Sequence, residues 1–203
     1  MDLGGYREEG PMSAATRNIQ RIGVVALQGG VAEHVRVLHD LGVDTVLVKR
    51  PTHLNGLTGL VLPGGESSTI DRLLRIFGLV EPLQQAIRDG LPVLATCAGM
   101  ITLAAEIEDP APGQQTLNLL DITVRRNAFG SQVESEEAVV ATADGPVAAA
   151  FIRAPIVTRV GEGVEVIAEH RGQVVGVRSG LVTAVAFHPE LAGDPTLHRR
   201  LLG

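Results

Sequence analysis

A chain of 203 residues, 45% of them apolar, is long enough for one α/β domain with a large core. Its net charge of −6, with four Phe, one Tyr and no Trp, supplies neither a phosphate-binding field nor a stacking platform for bases, which excludes nucleic acid as a partner. A single cysteine excludes an internal disulfide, no apolar run approaches a membrane span, and acidic Asp2, Glu8 and Glu9 stand where a signal peptide would be basic, so a cytoplasmic protein without a membrane partner is expected.

Residues 1–19 show no hydrophobic period and are rich in Gly, Glu, Arg and Ser, which predicts a disordered lead with Met12 as an alternative start to Met1. The domain is expected over residues 20–203. Residues 22–27 read as a buried strand, followed by a Gly29-Gly30 turn and a helix whose Val31, Val35, Leu38 and Leu41 share a face and which Gly42 closes. Residues 43–48 and 57–62 read as further strands. After Pro63-Gly64-Gly65-Glu66-Ser67, the apolar residues Ile70, Leu73, Leu74 and Phe77 repeat at helical spacing, and a second helix over 80–88 ends at Gly90. The apolar run from Leu91 to Thr96 is a strand, and residues 98–107 are predicted to continue as one helix. Strand and helix alternate, which implies a parallel sheet with right-handed crossovers.

Beyond Asp109-Pro110-Ala111-Pro112-Gly113, a loop by composition, the texture changes to short apolar stretches over 119–124, 133–141, 148–152, 164–168 and 174–177, which read as antiparallel strands. Residues 181–187 form another strand and 195–202 a short final helix. The expected fold is a single α/β domain with a mixed, mostly parallel central sheet flanked by helices.

Cys97 stands where a strand turns into a helix, in Thr96-Cys97-Ala98-Gly99. A thiol at such an elbow is lifted to the top of the sheet beside helix N–H groups that favour thiolate. Far downstream comes Phe187-His188-Pro189-Glu190. Residues two apart on an extended segment point the same way, so His188 and Glu190 suit a base and its orienting acid. Alone, Cys97 reads first as a buried small hydrophobe and His188 as a structural histidine. The Gly64-Gly65 loop, at the same sheet edge, lets backbone N–H groups approach a ligand as an oxyanion hole requires, although an ordinary turn has the same composition. Together the three features point to one catalytic site. No Lys follows the loop at the spacing of a phosphate-binding loop, and His34 and His39 do not share a helix face, so neither nucleotide nor metal is expected.

These motifs, with Leu27-Gln28-Gly29, Lys49-Arg50-Pro51, Arg126-Asn127-Ala128-Phe129-Gly130 and Phe151-Ile152-Arg153-Ala154-Pro155, resemble the glutaminase subunits of pyridoxal 5′-phosphate synthases. Those are a branch of the class I (triad) glutamine amidotransferases, with a flavodoxin-like three-layer fold. The resemblance runs from about Ile22 to the C-terminus. It implies hydrolysis of L-glutamine to L-glutamate and ammonia, without a cofactor. Ammonia would pass to a (β/α)8 synthase subunit, in a large hetero-oligomer, that makes pyridoxal 5′-phosphate from a pentose phosphate and a triose phosphate. It further implies a Cys97-His188-Glu190 triad, an oxyanion hole from the N–H groups of Gly65 and Ala98, and glutamine binding by Gly65, Glu66, Ser67, Arg126, Ile152 and Arg153. A guanidinium at Arg126 or Arg153 suits the α-carboxylate of glutamine.

Arg125 reads as a surface ion-pair residue. Gln28 either supports the glycine loop or caps its own turn. The chain departs from the family pattern at Ala95, where glycine is usual, and at Ser131 and Glu136, where Arg and Phe are usual. A glutaminase serving imidazole glycerol phosphate synthesis, or a non-catalytic module of the same fold, remains the alternative; the Phe-Ile-Arg-Ala-Pro motif opposes the first and the intact triad the second.

Overall fold

The computed structural model describes residues 20–128 and 136–203. The predicted lead over 1–19, and the motif residues Phe129, Gly130 and Ser131, lie outside the described residues. Strands β1 (Arg21–Val25), β2 (Asp44–Val48), β3 (Gly59–Leu62) and β4 (Val93–Thr96) alternate with helices α1 (Val31–Asp40), α2 (Ser67–Ile76) and α3 (Val80–Arg88). The strands β2-β1-β3-β4 lie side by side and parallel, and β12 (Val182–Val185) adds to β4 in parallel register. β3, β4 and β12 are buried along their whole length, which is why they are apolar apart from Thr96 and Thr183.

On the other side of β12 the sheet turns antiparallel, through β11 (Gln173–Ser179), β10 (Glu165–His170), β7 (Glu136–Thr142) and β8 (Gly145–Phe151). β7 has one face toward solvent, so exposure alternates along it, with Glu137, Val139 and Ala141 facing outward. The chain closes with α5 (Thr196–Leu202). The architecture is the single α/β domain expected, with its parallel central strands flanked by helices.

Two readings need correction. The helix predicted over 98–107 stops early: α4 covers Ala98–Leu103, Ala104 turns extended (ψ 151°), and β5 (Ala104–Ile107) pairs in parallel with β6 (Leu120–Arg125). Residues 104–107 have no local strand signal, so the partner strand decides their conformation. A strand that the sequence reading omits, β9 (Ile156–Val160), pairs with β6 and touches β11. Among the described residues no helix is long and apolar enough to cross a membrane.

Candidate active site

The parallel pairing of β4 with β12 sets Thr96 opposite Val185, so the chain emerging from both strands reaches the same edge of the sheet. Cys97 N–H donates to the Val185 carbonyl (2.8 Å). The Cys97 backbone then adopts φ 48°, ψ −107°, a strained conformation for a residue with a side chain, and α4 begins directly after it. The turn also needs a bare Cα at Gly99, where a Cβ would lie 2.2 Å from the Leu62 carbonyl oxygen. Ala95, the departure from the family pattern, is buried between Leu62 and Ala184 in register.

His188 is fixed by two backbone hydrogen bonds to Ala150 of β8, at 2.9 and 3.2 Å, and is 8% exposed. Its Nδ1 lies 2.7 Å from Glu190 Oε1, and its ring and Cys97 Cβ both pack against the bare Cα of Gly64. Burial works against a charge on this imidazole, but the hydrogen bonds and charges of Cys97 and Glu190 outweigh it and raise the His188 pKa to about 10. Glu190 is 3% exposed. The three residues therefore form a contiguous thiol, imidazole and carboxylate, able to shuttle a proton between a nucleophile and a leaving group.

The glycine loop closes over this line. Gly64 N–H donates to Thr96 Oγ1 (3.1 Å), and the Gly64 carbonyl accepts from Gly30 N–H (3.1 Å). Because the peptide is trans, Gly65 N–H faces the opposite way from that carbonyl. Gln28 settles its two readings in favour of support, since its Oε1 accepts from Glu66 N–H (2.8 Å). The Glu66 carboxylate caps α2, accepting from Ser68 and Thr69 through both backbone and hydroxyl groups. Its pKa falls to about 2 because those hydrogen bonds outweigh the opposing effect of burial.

Arg126 reaches toward the same loop: Nη1 donates to Gln114 Oε1 (2.6 Å), Nη2 lies 4.0 Å from Glu66 Oε1, and Gln114 Nε2 donates to Ser67 Oγ (3.0 Å). Ala128 N–H donates to the Ala154 carbonyl (3.1 Å), which joins the Arg126 segment to the one carrying Ile152 and Arg153. Both of those residues are exposed, and Arg153 has φ 45°. Arg125 instead pairs with Glu108 (2.7 Å) at the surface, as its sequence reading holds, and Glu136 pairs with Arg171 (2.7 Å).

A model of the SNO glutamine amidotransferase family matches residues 24–201. The chain belongs to this family. It is 56% identical over 191 residues to the pyridoxal 5′-phosphate synthase subunit PdxT of Cutibacterium acnes, covering 89% of this chain and 94% of that one. It is 55% identical over 188 residues to the PdxT of Corynebacterium glutamicum strain R, again with 89% and 94% covered. A crystal structure described as a glutamine amidotransferase superposes with TM-score 0.84 at 46% identity, covering 89% of this chain and 96% of the other.

For this amidotransferase, sequence reasoning missed three residues that touch the site. Gln114 lay in a segment without pattern. His34 is buried 3.4 Å from Glu190, and His198 is buried against His34. His34 did leave a signal, because a histidine at the helical spacing of Val31 and Leu38 sits inside an apolar stripe and must find partners there. Among the described residues, no group of three or more His, Cys, Asp or Glu is placed to hold a metal ion.

Proposed function

We propose that this chain is the glutaminase subunit of a pyridoxal 5′-phosphate synthase, hydrolysing L-glutamine to L-glutamate and ammonia with Cys97 as nucleophile. The observation that carries the reading is the contiguous line from Cys97 through His188 to Glu190, in a chain 55–56% identical to two PdxT proteins over 94% of their length.

Cys97 Sγ, having lost its proton to His188, attacks the side-chain amide carbon of glutamine. The N–H groups of Gly65 and Ala98 hold the oxyanion. His188 then protonates the leaving nitrogen, ammonia departs, and a thioester remains on Cys97. Water, deprotonated by His188, attacks the thioester and releases glutamate and the thiol. Glu190 keeps the imidazole in the tautomer with the proton on Nδ1 and stabilises its cation. Arg126 and Arg153 meet the α-carboxylate, with the loop residues Gly65, Glu66 and Ser67 and the segment at Ile152 shaping the pocket around the rest of the amino acid. Ammonia passes to a (β/α)8 synthase subunit within a large hetero-oligomer. The cytoplasm suits this chemistry, since its reducing conditions keep a lone catalytic thiol free.

The test mixes the purified chain, glutamine, the two sugar phosphates and a pyridoxal 5′-phosphate synthase subunit, and measures glutamate and pyridoxal phosphate. Both products are expected. Absence of glutamate would overturn the glutaminase reading, and glutamate without pyridoxal phosphate would move the chain to another amidotransferase.

A further inference from the structure

His34, on α1, is fully buried and reaches three groups with two nitrogens. Nε2 lies 3.4 Å from Glu190 Oε1 and 3.1 Å from Thr96 Oγ1, while Nδ1 lies 2.9 Å from His198 Nε2. A leucine would fill the same stripe of α1 without losing hydration, so the imidazole is tolerated there only through its partners. Burial, with help from His198 and His188, holds His34 well below its usual pKa, and burial pushes His198 down to about 4 against the pull of nearby Asp194, its Nδ1 having no hydrogen-bond partner among the described residues. Both rings are therefore neutral near pH 7, each with one N–H.

The Glu190 carboxylate beside Nε2 selects the His34 tautomer with its proton on that nitrogen. Nδ1 is then an acceptor, and His198 Nε2–H fills it. Glu190 Oε1 thus lies 2.7 Å from His188 Nδ1 on one side and 3.4 Å from His34 Nε2 on the other, while Oε2 has no hydrogen-bond partner among the described residues. Thr96 Oγ1, the third group at His34, also receives the Gly64 N–H of the glycine loop.

We infer that His34 is a positioning residue, which holds the Glu190 carboxylate in place against His188 and, through Thr96, registers it with the Gly64 loop, while His198 sets the tautomer that does so. The inference rests on the triad reading above.

A glutamine side chain can place an amide N–H where His34 Nε2 stands, whereas asparagine reaches only the Nδ1 side that faces His198. Steady-state glutamine hydrolysis by the full chain with its synthase partner is compared for wild type, His34→Gln, His34→Asn, Glu190→Gln and the His34→Asn/Glu190→Gln double variant. His34→Gln should stay within about threefold of wild type. His34→Asn should lose about 10- to 100-fold in kcat, the range met when the outer partner of an active-site ligand is removed, with KM within about twofold. In the Glu190→Gln background the same substitution should cost less than about twofold, because His34 acts through Glu190.

Equal activity of the Asn and Gln variants, or an Asn loss undiminished in the double variant, overturns the inference. If His34→Asn does not fold, His198→Phe removes the group that fixes the tautomer and leaves His34 in place. It should lower kcat by about tenfold, and an unchanged kcat overturns the inference equally. Activity retained by Cys97→Ala would instead sink the triad reading; a dead Cys97→Ala beside a fully active His34→Asn removes this inference alone.

Discussion

Gly64 packs its bare Cα against the His188 ring, where a Cβ would lie 2.3 Å from Cε1 and 3.1 Å from Cys97 Cβ. Nothing larger than glycine lets the loop close on the triad without moving it. Gly64→Ala should therefore lower kcat by about 100-fold, the cost of a misplacement near 1 Å, while destabilising the fold by only about 1–3 kcal/mol. Kinetics paired with urea denaturation check this; a kcat near wild type would show that the ring can yield freely.

The triad members should fail unequally. Cys97→Ala removes the nucleophile and should abolish hydrolysis, whereas Glu190→Gln leaves a thiol and an imidazole and should fall by up to about 10⁴-fold yet stay measurable. With the synthase, Cys97→Ala should make no pyridoxal phosphate from glutamine but should make it when an ammonium salt is added. No product with ammonium, while wild type works with glutamine, would count against ammonia delivery.

Gln114 is joined to both Arg126 and Ser67. Gln114→Ala should leave the Arg126 guanidinium loosely held and weaken its grip on the α-carboxylate by about 1.5–3 kcal/mol, which raises KM about ten- to a hundredfold. The kcat should change little. A kcat loss with KM unchanged would place Gln114 in the chemistry rather than in binding.

Stability should peak near neutral pH, with buried histidines shaping opposite limbs. His198 has a folded pKa of about 4 against 6.5, so between those values the unfolded chain takes up a proton that the fold refuses. The stability present above pH 6.5 is then lost as pH falls toward 4, by about 3 kcal/mol. His188, raised to about 10, contributes stability that is full below pH 6.5 and is lost as pH rises toward 10. Urea midpoints from pH 4 to 10 measure both limbs. His198→Phe should make the acid limb shallower, and an unaltered acid limb would show that this imidazole does not govern it.

The parallel half of the sheet was legible because strands buried on both faces are nearly all apolar, as in Gly59–Leu62. Residues 104–107 were not, because their extended form comes from pairing with β6, farther along the chain. Within the site, Cys97 and the His188–Glu190 pair announce themselves through short motifs, each of them local. Gln114 and His198 do not, because their partners at Ser67, Arg126 and His34 come near only after folding. His34 falls between: its place in an apolar stripe was visible, and what it served was not.

β12 lies late in the sequence but centrally in the sheet, wedged between β4 and β11. A chain growing from a ribosome therefore carries Cys97 long before the strand that delivers His188 exists outside the exit tunnel. Until then β4 has an open edge, and the strained elbow lacks the Val185 carbonyl that holds it. Such long-range closure is slow, and it makes the ability to release ammonia one of the last properties that the nascent molecule acquires. A truncated product would retain the thiol and lack the means to use it.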